Sequence, residues 1–337
     1  MSVHEVGNKT NNGQLYASIQ SLNIEDENLL SLLQHYFLKP FTQQEFWQFT
    51  SSNDDLGLNP VYTYANQIFN NHSGFHVQSI NVAKQLYEST NHPNIKDGDL
   101  FVVLLNNVRL GEEMCDAVGV FKSEQKESFI KTNRKGKEYD LTADSGINID
   151  KLDKGCIIFN LNEETGFKVA IIDKAGRGAE ANYWKDDFLQ LKTCADDYNF
   201  TRNFLGVTKA YVTQQLQEEF EVTKADQIDL LNKSVNYFKE NERFVAEDFA
   251  AAVFEDKSVI QSFQQFKSNM QHDADLDLAD GFDINIQAVK KQAKVFKSVL
   301  KLDKNFHIYI HGNRNLIERG EDESGKKYYK IYFDKEE

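Results

Sequence analysis

The order of apolar and polar positions changes character twice along the 337-residue chain. After Asp26, the residues Leu29, Leu30, Leu32, Leu33, Tyr36 and Phe37 fall at helical spacing, so one stripe of a helix is apolar. Asp26 is placed to cap that helix, and Pro40 stops it. Three more helices are predicted: over 43–49, from Asn59-Pro60 onward, and over 79–87. Pro60 suits a first helical position because its missing N–H is not needed there. Residues 15–19 alternate loosely and predict a strand.

The middle of the chain reads differently. Segments 100–105, 117–121, 156–161 and 167–172 are short β-branched and aromatic runs separated by Gly, Asn, Asp and Ser, which is the pattern of strands. Residues 162–166 predict a hairpin loop, and 131–136 a polar turn. From about residue 199 the helical period returns. Phe200, Phe204, Val207, Tyr211, Val212 and Leu216 mark one helix, and Ile228, Leu231, Val235 and Phe238 mark another. Phe249, Val253 and Phe254, then Val259, Phe263 and Phe266, mark two more. A long basic helix is expected over 285–302. Strands over 306–311 and 328–333, around a polar loop, are expected to close the chain as a β-hairpin. The fold class is therefore α+β, with an N-terminal mixed portion over 1–195 and a mostly helical portion over 196–337.

Composition adds limits. Hydrophobic residues are 40% and aromatics 12% of the chain, enough for a real core. The longest purely apolar run, 100–105, is far short of the roughly 20 residues a membrane helix needs. The polar opening segment predicts no secretory signal. Cys115, Cys156 and Cys194 are too scattered for a disulfide framework or a metal knuckle. Reduced thiols and a cytoplasmic setting fit them. No cofactor is expected.

Net charge is −14, which on average repels nucleic acid. The distribution matters more. Residues 286–337 carry 12 Lys and Arg against 8 Asp and Glu, and 286–305 carry six Lys and one Asp. On a helix, Lys290, Lys294, Lys297 and Lys301 would share one face opposite Val289, Ala293, Phe296 and Leu300. The stripe from Lys290 to Lys304 would be roughly 21 Å long and match about six phosphates of one strand. In strand 306–311, His307, Tyr309 and His311 would share a face. The two histidines would stand about 13 Å apart, too far to hold one metal.

Other motifs carry less. Gly176-Arg177-Gly178 lacks the third glycine of a dinucleotide loop, although Arg177 and Lys174 could form a small anion site. The series Asp273, Asp275, Asp277 lacks the Gly and Glu that a calcium loop needs at its sixth and twelfth positions. Asp116, Glu124 and Lys126 outline a metal-dependent nuclease centre only crudely.

Several stretches together carry a resemblance. They are HEVGNK (4–9), YNFTRNFLG (198–206), KADQIDLLNKSVNYF (224–238) and AVKKQAKVFKSVLKLDKNFHIYIHGNR (288–314). Their order and spacing resemble the bacterial 37-kilodalton nucleoid-associated protein family, the NdpA/YejK type, most of all its Bacteroidetes branch. The resemblance implies a cytoplasmic, nucleoid-associated protein that binds DNA without enzymatic activity. It supplies no contact residues. Helix geometry alone puts Lys290, Lys294, Lys297 and Lys301 on phosphates, and Lys304 and Arg314 are expected at the edge of the contact. The expected partner is double-stranded DNA, read with little sequence preference. The alternatives are an adaptor that docks a DNA-processing enzyme and, more remotely, the nuclease. No heptad pattern decides whether the chain self-associates.

Overall fold

The four central apolar runs are apolar on both faces because they form the middle of a sheet covered on both sides. A computed structural model describes the chain except residues 43–44, 54, 175–181, 274–275, 295, 297–298, 311–315 and 336–337. It divides into two compact units, Met1–Cys194 and Ala195–Glu337.

Unit 1 runs β1 (Ser2–Val6), β2 (Leu15–Tyr16), α1 (Glu27–Leu38), β3 (Trp47–Phe49), α2 (Pro60–Asn70), α3 (Phe75–Glu88), β4 (Gly98–Leu110), β5 (Glu113–Ser123), β6 (Glu127–Lys135), β7 (Glu138–Gly146), β8 (Lys154–Phe159), β9 (Lys168–Asp173) and β10 (Leu191–Thr193). Eight strands form one sheet in the order β10-β3-β9-β8-β5-β4-β1-β2, with every pairing antiparallel. Side chains alternate between its faces. Leu100, Val102, Val118, Val120, Cys156, Ile158 and Val169 pack with α2 and α3 on one side. Phe101, Ala117, Phe121, Ile157, Phe159 and Ala170 pack with Tyr36 and Phe37 of α1 on the other. The Phe37 and Phe121 rings stack at 4.3 Å.

Capping follows the sequence. Asp26 accepts hydrogen bonds from the Asn28 and Leu29 amides, and Asn59 accepts one from Tyr62 ahead of Pro60. Two local expectations fail. Of the helix expected over 43–49, residues 43–44 lie outside the described residues and 45–49 are not helical: Trp47–Phe49 pairs with β10 and β9, because Phe49 fills the sheet core and tertiary burial overrides a weak local preference. The supposed turn at 131–136 is most of β6, which pairs residue for residue with β7 in a long hairpin turned at Gly136 (φ +67°).

Unit 2 runs α4 (Asp197–Ala210), a π-helical turn (Tyr211–Gln215), α5 (Leu216–Glu219), α6 (Lys224–Glu240), β11 (Arg243–Val245), α7 (Ala246–Phe254), α8 (Lys257–Asp273), β12 (Gly281–Asp283), α9 (Ile286–Ala293), β13 (Val299–Leu302), β14 (Phe306–Tyr309), β15 (Ile317–Glu321) and β16 (Lys327–Ile331). Its core is a cluster of phenylalanines, among them Phe204, Phe238, Phe244, Phe249, Phe263 and Phe282. The Phe204 and Phe244 rings lie 4.2 Å apart and Phe244 and Phe282 4.6 Å. A capping box at Thr223 and Asp226 starts α6.

The C-terminal segment departs most from expectation. The basic helix does not run over 285–302. It ends at Ala293, and Val299–Leu302 is a strand paired with Phe306–Tyr309. The reason is the pattern itself. Leu300 and Leu302 face inward while Lys301 points out, an alternation of period two that only a strand presents to one core. The strands 306–311 and 328–333 do not pair with each other either. Phe306–Tyr309 turns back on β13, and Lys327–Ile331 pairs with Ile317–Glu321. Unit 2 thus ends in two hairpins.

Candidate nucleic-acid interface

The basic residues of unit 2 are set by α9 and the hairpin β13–β14. Asn285 caps α9 through the Gln287 and Ala288 amides. Ala288 and Val289 are buried, which leaves Lys290 and Lys291 outside. Lys294 follows the last helical residue and is exposed. Phe296 then drops into the core. This buried ring ends the lysine run on the helix.

The hairpin has two different faces. Leu300, Leu302 and Ile308 pack on Ala225, Ile228 and Ile317. On the other face Lys301 stands opposite His307 and Val299 opposite Tyr309. Residues directly opposite in an antiparallel pair share a face, so the register joins a cation, an imidazole and a phenol. This face lines a cleft of about 580 Å³ against Asn232, Asn236 and Lys239 of α6. Asn232 Nδ2 donates to the Ile310 carbonyl (3.3 Å) and ties the end of the strand to α6. Among the described residues no carboxylate lines the cleft. Ala293 and Phe296 form part of its wall, so Lys294 lies beside it in sequence. Lys304 sits in the turn between the strands and is exposed.

The four predicted lysines that are described therefore fall in four different local settings. Lys290 is on α9, Lys294 just past its end, Lys301 on β13 and Lys304 in the turn. They do not form a single straight helical stripe. Lys297, Arg314 and His311 lie outside the described residues. His307 and Tyr309 do share a face, as strand alternation requires, and that face opens into the cleft. Lys239, Asn232 and Asn236 were not anticipated. Their spacing of four and three marks one face of α6, but nothing in that spacing says which element stands opposite.

The nuclease outline does not assemble. Asp116 and Glu124 are eight residues apart along β5 and its end, roughly 27 Å in an extended strand. Glu124 accepts hydrogen bonds from the buried Lys122 (3.1 Å) and from the Tyr183 hydroxyl (3.2 Å). Lys126 instead pairs with Asp99 at 2.8 Å. Asp116 lies near His72. Among the described residues no group of His, Cys, Asp or Glu is arranged to hold a metal ion. Gly176-Arg177-Gly178 lies outside the described residues, as do Ala274 and Asp275 of the acidic series. No helix among the described residues is long and apolar enough to cross a membrane.

A family model for nucleoid-associated protein YejK (NA37) matches residues 2–327, nearly the whole chain. The chain belongs to this family. The match covers both units, so family membership extends to the α+β sheet unit as well as to the helical unit with its basic hairpin. No curated protein matches the chain.

Proposed function

We propose that the protein is a non-enzymatic DNA-binding component of the bacterial nucleoid, in the cytoplasm. It holds double-stranded DNA through unit 2, mainly electrostatically and with little sequence preference. The observation that carries this is the cleft of α6 and the β13–β14 hairpin, with Lys239, Lys301, His307 and Tyr309 on its walls and no carboxylate among its described lining residues, in a chain of net charge −14. A local concentration of cations in an acidic protein fits a polyanion at that place. Exposed Lys290, Lys294 and Lys304 add positive charge on the same segment, and Lys297 and Arg314 lie close in sequence. Phosphate contacts from lysines position DNA without reading bases. Tyr309 offers an aromatic face for a base or sugar.

The test is fluorescence anisotropy with a mixed-sequence 30-base-pair duplex across a salt series. The wild type is expected to lose affinity linearly in log salt. A Lys239→Glu/Lys301→Glu variant should bind at least tenfold more weakly at low salt. Its slope should fall by about one for each phosphate that a lysine no longer neutralises. Unchanged affinity in that variant, with an unchanged circular dichroism spectrum, refutes this placement of the site.

A further inference from the structure

The β6–β7 hairpin of unit 1 pairs only within itself, and every residue of β6, and of β7 up to Ser145, is exposed. Nine residues per strand give it a reach of about 30 Å. Its two faces differ in kind. One carries Lys131 paired with Asp144 (2.8 Å) and Lys135 paired with Asp140 (3.1 Å), together with Glu138 and with Glu127, which pairs with Lys151 beyond the hairpin, so this face is charged. The other carries Ile130, Tyr139 and Leu141, at 73%, 71% and 67% exposure, with Thr132 and Ala143 between them and one cation, Arg134, opposite Tyr139 near the turn. A two-stranded hairpin alone in water is marginal, and three large apolar side chains this exposed on one face mark a surface that is covered in use.

Unit 1 has a second uncovered apolar surface. The stripe of α1 is continuous, but only its second half meets the sheet, through Leu33, Tyr36 and Phe37. Leu29, Leu30 and Leu32, in its first turns, remain 43%, 43% and 45% exposed.

We propose that a second copy of this chain covers both. In a two-fold pair, each arm lays its Ile130, Tyr139 and Leu141 face on the α1 leucines of the partner copy. A second copy is favoured over another protein because one chain carries both the donor arm and the apolar acceptor, which a two-fold axis matches reciprocally. It is favoured over DNA because the arm as a whole is electrically neutral, with four cations and four carboxylates between residues 127 and 146, and its apolar face carries a single cation, Arg134. The area also suffices. The six side chains expose on the order of 600 Å² per copy, or about 1,200 Å² for the pair, which reaches the lower limit of specific interfaces.

Sedimentation equilibrium of the full chain over micromolar concentrations tests this. The wild type is expected at twice 38.8 kDa. Both Ile130→Glu/Leu141→Glu and Leu29→Glu/Leu32→Glu should be monomeric, their dissociation constants raised at least a hundredfold. Both pairs of sites are on the surface, so circular dichroism should not change. Mixing the two variants restores one intact arm–helix contact of the two, and a weak mixed pair should form where neither variant pairs alone. A monomeric wild type, or a pair that survives either double substitution, overturns the proposal. An arm variant that keeps its mass but loses DNA affinity also overturns it, in favour of an arm that grips DNA.

Discussion

His4 is an ordinary polar residue in the sequence, but on β1 its ring is buried. The Ser18 amide donates to its Nδ1 (3.1 Å), so Nε2 carries the proton toward Ser79 Oγ (3.0 Å). That is the neutral tautomer. Burial, and next the neighbouring His76, push its pKa down to about 4. The unfolded chain takes up this proton near pH 6.5. Between those values the unfolded state binds more protons, so stability falls as pH drops. The contribution is complete above about pH 6.5 and is lost as pH approaches 4, to the extent of roughly 3 kcal/mol. Urea unfolding of wild type and His4→Gln at pH 7 and pH 4.5 checks this. The wild type should lose more stability than the variant across that interval. Equal losses would mean the ring is protonated without penalty. None of this is legible in the HEVGNK segment, because burial of His4 depends on Ser18 and on Ser79 from α3. The same limit hid Lys239, whose partners across the cleft come from a hairpin more than sixty residues later. Asp26 and Asn59 were legible because a cap acts within three residues of itself.

At the scale of elements, the β8–β9 connection depends on one glycine. Gly166 has φ +106°, and a Cβ there would run into the Phe49 backbone of β3. Its own carbonyl accepts the Phe49 amide at 2.8 Å, so the loop cannot easily move away. Gly166→Ala should therefore cost about 2 kcal/mol or more, through strain and a displaced strand. The midpoint of urea unfolding measures it, and a change below about 0.5 kcal/mol would show that the loop yields freely. The loop itself was evident from Asn162 to Gly166, since a turn is a local event. Helices with long apolar stripes were evident too, from α4 to α8. What failed has a common cause. Segment 43–49, the end of the basic helix and the β6–β7 arm take their state from distant pairing. Lys290 to Lys301 fit a helical wheel well, yet Leu300 and Leu302 also fit a strand. The register with Phe306–Tyr309 decides between them. The arm shows neither a covered face nor an unbroken apolar run, and so it read as a polar turn.

At the scale of the whole molecule, charge and assembly meet. Residues 286–337 carry net +4 and the remainder −18. One small basic site on an acidic body gains little from long-range attraction, because at physiological salt charges beyond about 8 Å are screened. Two such sites in one particle behave differently. Once one is bound, the second meets the same duplex at high effective concentration. If the arms join two copies, each pair offers two clefts, and the counterions released by both add in the salt slope. The wild type should then show a slope of log affinity against log salt up to twice that of the monomeric Ile130→Glu/Leu141→Glu variant. The variant keeps Lys239, Lys301, His307 and Tyr309 intact, so its affinity for a duplex too short to fill two clefts should match the wild type. Anisotropy on a short and a long duplex separates the two effects. Equal slopes on long DNA, with the variant monomeric, would mean that only one cleft of each pair engages the duplex. A variant weakened equally on both lengths would mean that the arm itself contacts DNA.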